Sequence, residues 1–157
     1  MSVAFRRESD EEHLEPRFEL PIPPGPNLVT PRGLALIGER VDAFEAAAAA
    51  EADAERRKPI QRDLRYWRTR LATAELAPPP APGTVGIGTR VTFRLAGAER
   101  TLTLTGHDEA DPEAGRIAFS APLARAMIGA QAGEWVDFAG KVEAIEILAV
   151  EPAPDAA

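Results

Sequence analysis

Apolar positions recur at spacings of three and four over two stretches of the chain. In the first, Leu34, Ile37, Val41, Phe44 and Ala48 fall on one stripe; in the second, Ile60, Leu64, Trp67, Leu71 and Ala74 do so. Side chains three and four apart share a helix face, so the two stripes predict the seam of an antiparallel two-helix coiled-coil hairpin. Thr30-Pro31 opens the first helix well. Thr accepts from a first-turn amide, and Pro is favoured at the first helical position. The second helix must stop before Pro78. Two registers are open. Pairing Phe44 with Ile60 centres the turn near Ala52. Pairing Ala48 with Leu64 and Phe44 with Trp67 slides one heptad and centres the turn near Arg56. Pro59 favours the second register, because it suits the first turn of a new helix and disrupts a helix interior by ~3 kcal/mol. Each arm is then about 20–25 residues, roughly 30–37 Å long.

Past residue 83 the texture becomes that of strands. Val85 to Leu95, Arg100 to Thr105, Gly115 to Phe119, Glu134 to Phe138 and Val142 to Val150 are rich in β-branched residues and bounded by Gly or acidic turns. One helix interrupts them, Pro122 to Ala130, with Gly129 near its end. The whole is an α+β chain: a helical hairpin, then a small sheet with one short helix.

Proline marks the joints. Pro16, Pro21, Pro23, Pro24 and Pro26 precede the first helix, and Pro78, Pro79, Pro80 and Pro82 follow the second. These stretches read as extended connectors. The expected organisation is a tail over 1–29, the hairpin over 30–77, a linker over 78–83, the sheet domain over 84–151 and a short tail over 152–157. Disorder is expected of the first tail over docking of its apolar Phe18, Leu20 and Ile22 on a neighbour.

Composition narrows the chemistry. The 157 residues contain no Cys and two His, His13 and His107, which excludes thiol nucleophiles, cysteine-based metal centres and a His cage. His107 reads as a turn histidine rather than a proton carrier. No apolar run approaches the roughly 20 residues of a membrane span, and the acidic start is unlike a signal peptide, so a cytoplasmic protein is expected. Net charge is −7, against a broad basic surface for nucleic acid. The charge is uneven, however. Residues 1–29 carry three Arg and six acids, whereas Arg56 to Arg70 holds seven basic residues (Arg56, Arg57, Lys58, Arg62, Arg65, Arg68, Arg70) against Asp63 alone. One basic helix can present a local positive face. Arg62, Arg65 and Arg68 face nucleic acid, the acidic groups of a protein partner, or solvent. The acidic tail is a candidate cover for that face, in which case deleting residues 1–29 would tighten binding to a partner.

Several motifs point to one family. Thr30-Pro31-Arg32-Gly33-Leu34 resembles the Thr-x-x-Gly opening of the bacterial Gre (GreA/GreB) transcript-cleavage factors. Arg62-Asp63-Leu64-Arg65-Tyr66-Trp67 and Leu71-Ala72-Thr73-Ala74-Glu75-Leu76 resemble the end of their coiled coil. Gly106-His107-Asp108-Glu109-Ala110-Asp111 is similar to their Gly-x-x-Glu-Ala-Asp turn. Ala121-Pro122-Leu123-Ala124-Arg125-Ala126-Met127-Ile128-Gly129 is similar to their Ser-Pro-(Leu/Met)-(Gly/Ala)-Arg-Ala-Leu-Leu-Gly helix, and Gly133-Glu134-x-Val136 follows like their Gly-Asp-x-Val. The likeness runs from about Thr30 to Val150.

The resemblance implies a coiled-coil hairpin followed by an FKBP-like domain (shaped like an FK506-binding protein). It implies a monomer that is not itself an enzyme and has no cofactor of its own. Its partner would be RNA polymerase, held at the secondary-channel rim, with nucleic acid met only through that complex and no membrane involved. In the family, tip acids help to bind a polymerase Mg²⁺ that hydrolyses backtracked RNA; hard carboxylate oxygens suit that ion. Here the tip reads Glu51-Ala52-Asp53-Ala54-Glu55-Arg56-Arg57-Lys58, without the family's Asp-Leu-Ser-Glu-Asn. Asp53, Glu55 and Glu51 either ligate a shared Mg²⁺, serve another polymerase-directed role, or pair with the neighbouring bases. The shorter hairpin resembles the non-cleaving Gre-like regulator named for nucleoside diphosphate kinase (Rnk). Docking on the rim would fall to Ala118, Ser120, Pro122, Leu123 and Arg125, with Ala118 and Ser120 replacing more polar groups. Arg125 is open to an ion pair with the rim or with Asp108 or Glu109 at home. A prolyl isomerase pocket is not expected, since Phe93, Phe119, Trp135 and Phe138 are needed largely for the core.

Overall fold

The computed structural model describes residues 19–154. The acidic run from Glu8 to Glu12, His13 and Phe18 therefore lie outside the described residues. The chain forms two compact units. One holds Ile37–Thr73 together with the described residues before Pro26; the other holds Pro26–Leu36 and the residues from Ala74 onward.

The helical unit is built on α1 (Pro31–Ala50), whose first turn and a half belongs to the other unit, and α2 (Ala54–Thr73). Each has 20 residues and so spans about 30 Å. The seam follows the predicted stripe: Ile37, Val41 and Leu64 are buried, and Phe44, Ala48, Ile60 and Trp67 are half-buried. Leu71 departs from it, being 40% exposed. The Arg40 guanidinium lies 5.8 Å from the Trp67 ring centroid, a cation–π contact between the helices. On the register, the turn and the side chains answer differently. The residues between the helices are Glu51, Ala52 and Asp53, near the first of the two predicted centres. The flanking contacts favour the second. Ala48 and Leu64 line one groove, and Arg68 Nη2 meets Glu45 Oε2 at 2.7 Å. Pro59 misled on the boundary because α2 begins five residues before it.

The second unit contains a five-stranded sheet of β3 (Thr89–Leu95), β4 (Ala98–Thr105), β5 (Arg116–Ala118), β6 (Trp135–Phe138) and β7 (Lys141–Pro152), with α3 (Pro122–Met127) between β5 and β6. The strand order is β5-β4-β3-β7-β6. Only β4–β5 run parallel. The two-residue turn between β3 and β4, Ala96 at φ 52° and Gly97 at φ 80°, has the left-handed twist that tight hairpins require. Alternate residues Val91 and Phe93 of β3, Leu102 and Leu104 of β4 and Ile145 and Ile147 of β7 enter the core, where Ala124 and Met127 of α3 close over them. Phe93 is fully buried and Trp135 is 52% exposed. A groove of about 580 Å³ in this unit is lined largely by the proline connector and carries no aromatic side chain.

Three boundaries moved. Val85 to Gly88 are not strand: Val85 instead exchanges backbone hydrogen bonds with Gly129 and Ala130 at 2.9 and 2.8 Å. The helix ends at Met127, because Ile128 is extended (ψ 131°) and Gly129 has φ 91°. The third change is at the chain's start. Leu28–Val29, assigned to the tail, form β1, which pairs in parallel with β2 (Glu75–Leu76). Deleting residues 1–29 would remove this strand as well as the acidic run. Leu20 and Ile22 are 36% and 45% exposed rather than docked. Among the described residues no helix is long and apolar enough to cross a membrane.

Candidate functional site

Two of the sequence motifs, 79 residues apart, turn out to be halves of one joint. Thr30 precedes α1, and its hydroxyl accepts from the Gly33 amide at 3.0 Å, an N-cap. The same hydroxyl donates to Glu109 Oε1 at 2.6 Å. Arg32 Nη1 donates to Glu109 Oε2 at 2.9 Å, so both carboxylate oxygens are held. Glu109 is buried and Arg32 is about a third exposed. Gly33 makes room for this contact, since a Cβ there would meet Glu109 Oε1 at 3.0 Å. Gly106 makes room on the other side, where a Cβ would fall 2.5 Å from the Leu28 carbonyl oxygen. The joint fixes the root of α1 to the β4–β5 crossover. Its groups are mutually satisfied, so it is a structural clamp rather than a reactive site. Glu109 is thereby unavailable to Arg125.

The hairpin tip is also occupied by its own contacts. Asp53 Oδ1 accepts from the Glu55 amide at 3.3 Å, and its carbonyl accepts from the Arg57 amide at 3.0 Å. Asp53 is thus the N-cap of α2. Its other oxygen faces Arg56 Nε at 3.2 Å, and Glu55 faces Lys58 at 3.2 Å. Arg57 donates to the carbonyls of Glu51 and Ala52 at 2.9 and 3.1 Å, closing the end of α1. A divalent cation needs several convergent oxygens. Two of the three predicted acids instead point at neighbouring cations, and one of those two holds a helix end. Among the described residues no group of three or more acids or histidines is placed to hold a metal. The described tip residues do not by themselves build a magnesium site. Replacing Asp53 by Ala is expected to cost about 1 kcal/mol through the lost cap, measured as a fall in α2 stability by urea unfolding.

The basic face of α2 is largely paired. Arg68 meets Glu45, Arg62 meets Asp63 at 3.5 Å, and Arg65 makes two hydrogen bonds to Glu19. Arg70 is buried and so belongs to no solvated row. Tyr66 and Trp67 pack edge to face at 5.2 Å, which fits a seam rather than a stacking platform for bases.

The predicted docking residues gather at the corner between β5 and α3. Ala118 ends the edge strand β5, Ser120 and Pro122 are exposed, Leu123 packs against the core, and Arg125 is exposed on α3. His107 supports this corner: its Nε2 is 2.7 Å from Ser120 Oγ, and its ring packs on Phe119 at 4.9 Å. Arg125 has no ion pair among the described residues, with Asp108 or with any other acid.

Residues 79–152 match the family model described as "Transcription elongation factor, GreA/GreB, C-term". The matched stretch is the sheet domain, which is thus similar to the C-terminal domain of GreA/GreB. Curated relatives agree. GreA of Thermomicrobium roseum is 38% identical over 80 residues, covering 49% of this chain and 51% of that protein. GreA of Caulobacter vibrioides is 49% identical over 55 residues, covering 34% of this chain and 35% of that protein. The chain thus spans about half the length of the first relative and a third of the second. Among solved structures, GreA/GreB from Nitrosomonas europaea aligns with 81% of this chain and 98% of its own at TM-score 0.38 and 21% identity. The GreA homologue Gfh1 of Thermus thermophilus covers 81% and 99% at TM-score 0.37 and 12% identity. In the sheet domain the Gly106–Glu109 turn and the Pro122 helix were legible as motifs. What the sequence did not show is that Glu109 is the acceptor for Thr30 and Arg32, that His107 props Ser120, or that Glu19 reaches Arg65. No local spacing encodes contacts across 79, 13 or 46 residues.

Proposed function

We propose that the chain is a Gre-like regulator that binds bacterial RNA polymerase at the secondary-channel rim and modulates elongation without stimulating RNA cleavage. The GreA/GreB domain supports the polymerase as partner. The observation that carries the non-cleaving reading is the tip: Asp53 caps α2 and faces Arg56, while Glu55 faces Lys58. Carboxylates paired in this way present no preformed cluster of oxygens to a shared magnesium, and α1 and α2 are about 30 Å long. The hairpin then acts by occupying space. In the Gre domain, exposed Arg125 offers an unpaired cation beside the apolar step of Pro122 and Leu123, a suitable edge for an acidic rim. The test is a cleavage assay on backtracked complexes with saturating protein, alongside direct binding to core polymerase. Binding with full-length RNA retained is expected, and Arg125→Glu is expected to weaken binding about tenfold, the ~1.4 kcal/mol of one rim ion pair. Shortened RNA would overturn the non-cleaving reading. No complex at low salt would overturn the polymerase reading.

A further inference from the structure

The turn from Gly106 to Glu109 does more than clamp the root of α1. Glu109 is fixed by Thr30 and Arg32, and from the same turn His107 reaches the β5–α3 corner. Its Nε2 lies 2.7 Å from Ser120 Oγ, and its ring packs on Phe119 with centroids 4.9 Å apart. The backbone around Ser120 is already held on both sides. The Phe119 amide donates to the Thr105 carbonyl and the Ala121 amide to the Ala118 carbonyl, both at 2.9 Å. What remains free in Ser120 is its side chain. An exposed serine ordinarily visits three staggered χ1 wells. Here the half-buried imidazole selects the one that places Oγ against Nε2. Packing on Phe119 would be met by any ring. The nitrogen aimed at an exposed hydroxyl is what packing leaves unexplained.

We infer that His107 is a positioning residue for docking: it holds the Ser120 hydroxyl in one rotamer, ready for a hydrogen bond with a polar group of the protein partner. This role rests on the docking reading above and deepens it, because Ser120 stands just before Pro122 on the exposed corner that carries Arg125. The chemistry permits it. A hydroxyl has one donor and two acceptor positions, so in either tautomer of the imidazole it keeps capacity for a second bond. The gain is one of preorganisation. An unheld serine occupies a given rotamer about a third of the time, and apparent affinity falls with the fraction that is competent. Holding Ser120 is therefore worth about threefold in Kd. His107 acts through Ser120 rather than by contact with the partner. Arg125 differs, since it contributes charge and reaches the partner directly.

His107→Phe keeps a ring against Phe119 and removes the nitrogen. His107→Leu is the second variant if the phenyl ring crowds the turn, with the amide signals of β3 and β4 showing that the sheet is intact. In the free full-length protein, the Hα–Hβ couplings of Ser120 are expected to report one χ1 rotamer, and an average over three in either variant. Against core RNA polymerase, His107→Phe is expected to raise Kd about threefold, and to leave it unchanged in a Ser120→Ala background. Equal weakening in both backgrounds overturns the inference, because a packing role alone would do that. Couplings that are the same in the parent and the variants overturn it as well. So does an unchanged Kd for His107→Phe while Arg125→Glu still weakens binding. If Arg125→Glu and Ser120→Ala both bind as the parent does, the docking reading itself falls, and the role of His107 falls with it.

Discussion

Gly106→Ala is expected to lower the stability of the sheet unit by about 3 kcal/mol, the upper range for forcing one carbon into a packed site. The reason is backbone against backbone. The new Cβ would lie 2.5 Å from the Leu28 carbonyl oxygen and 3.5 Å from Val29 Cα. A side chain in that position could rotate away; a strand cannot. β1 is fixed by its parallel pairing with β2 and by two further hydrogen bonds, Glu75 N–H to the Asn27 carbonyl and Ala77 N–H to the Val29 carbonyl, both 2.9 Å. Either β1 lifts away or the Gly106–Glu109 turn moves, and with the turn goes the carboxylate that holds Thr30 and Arg32. Gly97→Ala is the contrasting control. Gly97 has φ 80° and nothing within 4 Å of a built Cβ, so only local backbone strain of about 1 kcal/mol is expected. Urea unfolding followed by Trp135 fluorescence, with Trp67 replaced by Phe, separates the two. A Gly106→Ala midpoint no lower than that of Gly97→Ala would show that β1 yields without cost.

How much of this was readable beforehand depends on distance along the chain. The seam positions Ile37, Val41 and Leu64 followed from helical spacing, because burial of one stripe is a local consequence of the 3.6-residue turn. The strands β3, β4 and β7 followed from β-branched runs. The ends did not follow. Pro59 argued for a later start to α2, but the Asp53 cap, Arg57 and the two i,i+3 pairs stabilise a first turn already made of good helix formers, Ala54-Glu55-Arg56-Arg57. β1 was hidden because two residues flanked by proline carry no periodic signal, and their pairing with Glu75–Leu76 crosses the whole hairpin. At the candidate site the residue types were visible and their assignments were not. The acids of the tip read as ligands until the cap and the ion pairs place them. Glu109 read as a partner for Arg125 until Thr30 and Arg32 claim both of its oxygens.

Glu109→Ala is expected to cost about 2–3 kcal/mol, nearly as much as the glycine change and for the opposite reason. It removes material instead of adding it. The Thr30 hydroxyl loses its acceptor while buried, and a void opens against Gly33. Arg32 contributes less, because at 36% side-chain exposure it recovers water once the carboxylate is gone. Glu109→Gln tests the division. An amide retains the shape and an oxygen acceptor for Thr30 but loses the charge opposite Arg32, so about 1 kcal/mol is expected. Thr30→Ala removes the cap and the buried bond together and should also cost about 1–2 kcal/mol. If the clamp is one unit, the double variant Thr30→Ala with Glu109→Ala will cost less than the two singles combined, by about 1 kcal/mol or more. Strict additivity in thermal or urea unfolding would mean that the two side chains stabilise their elements separately. The conjunction of Thr30, Gly33, Gly106 and Glu109 would then be two unrelated local motifs, and the root of α1 would owe its position to β1 alone.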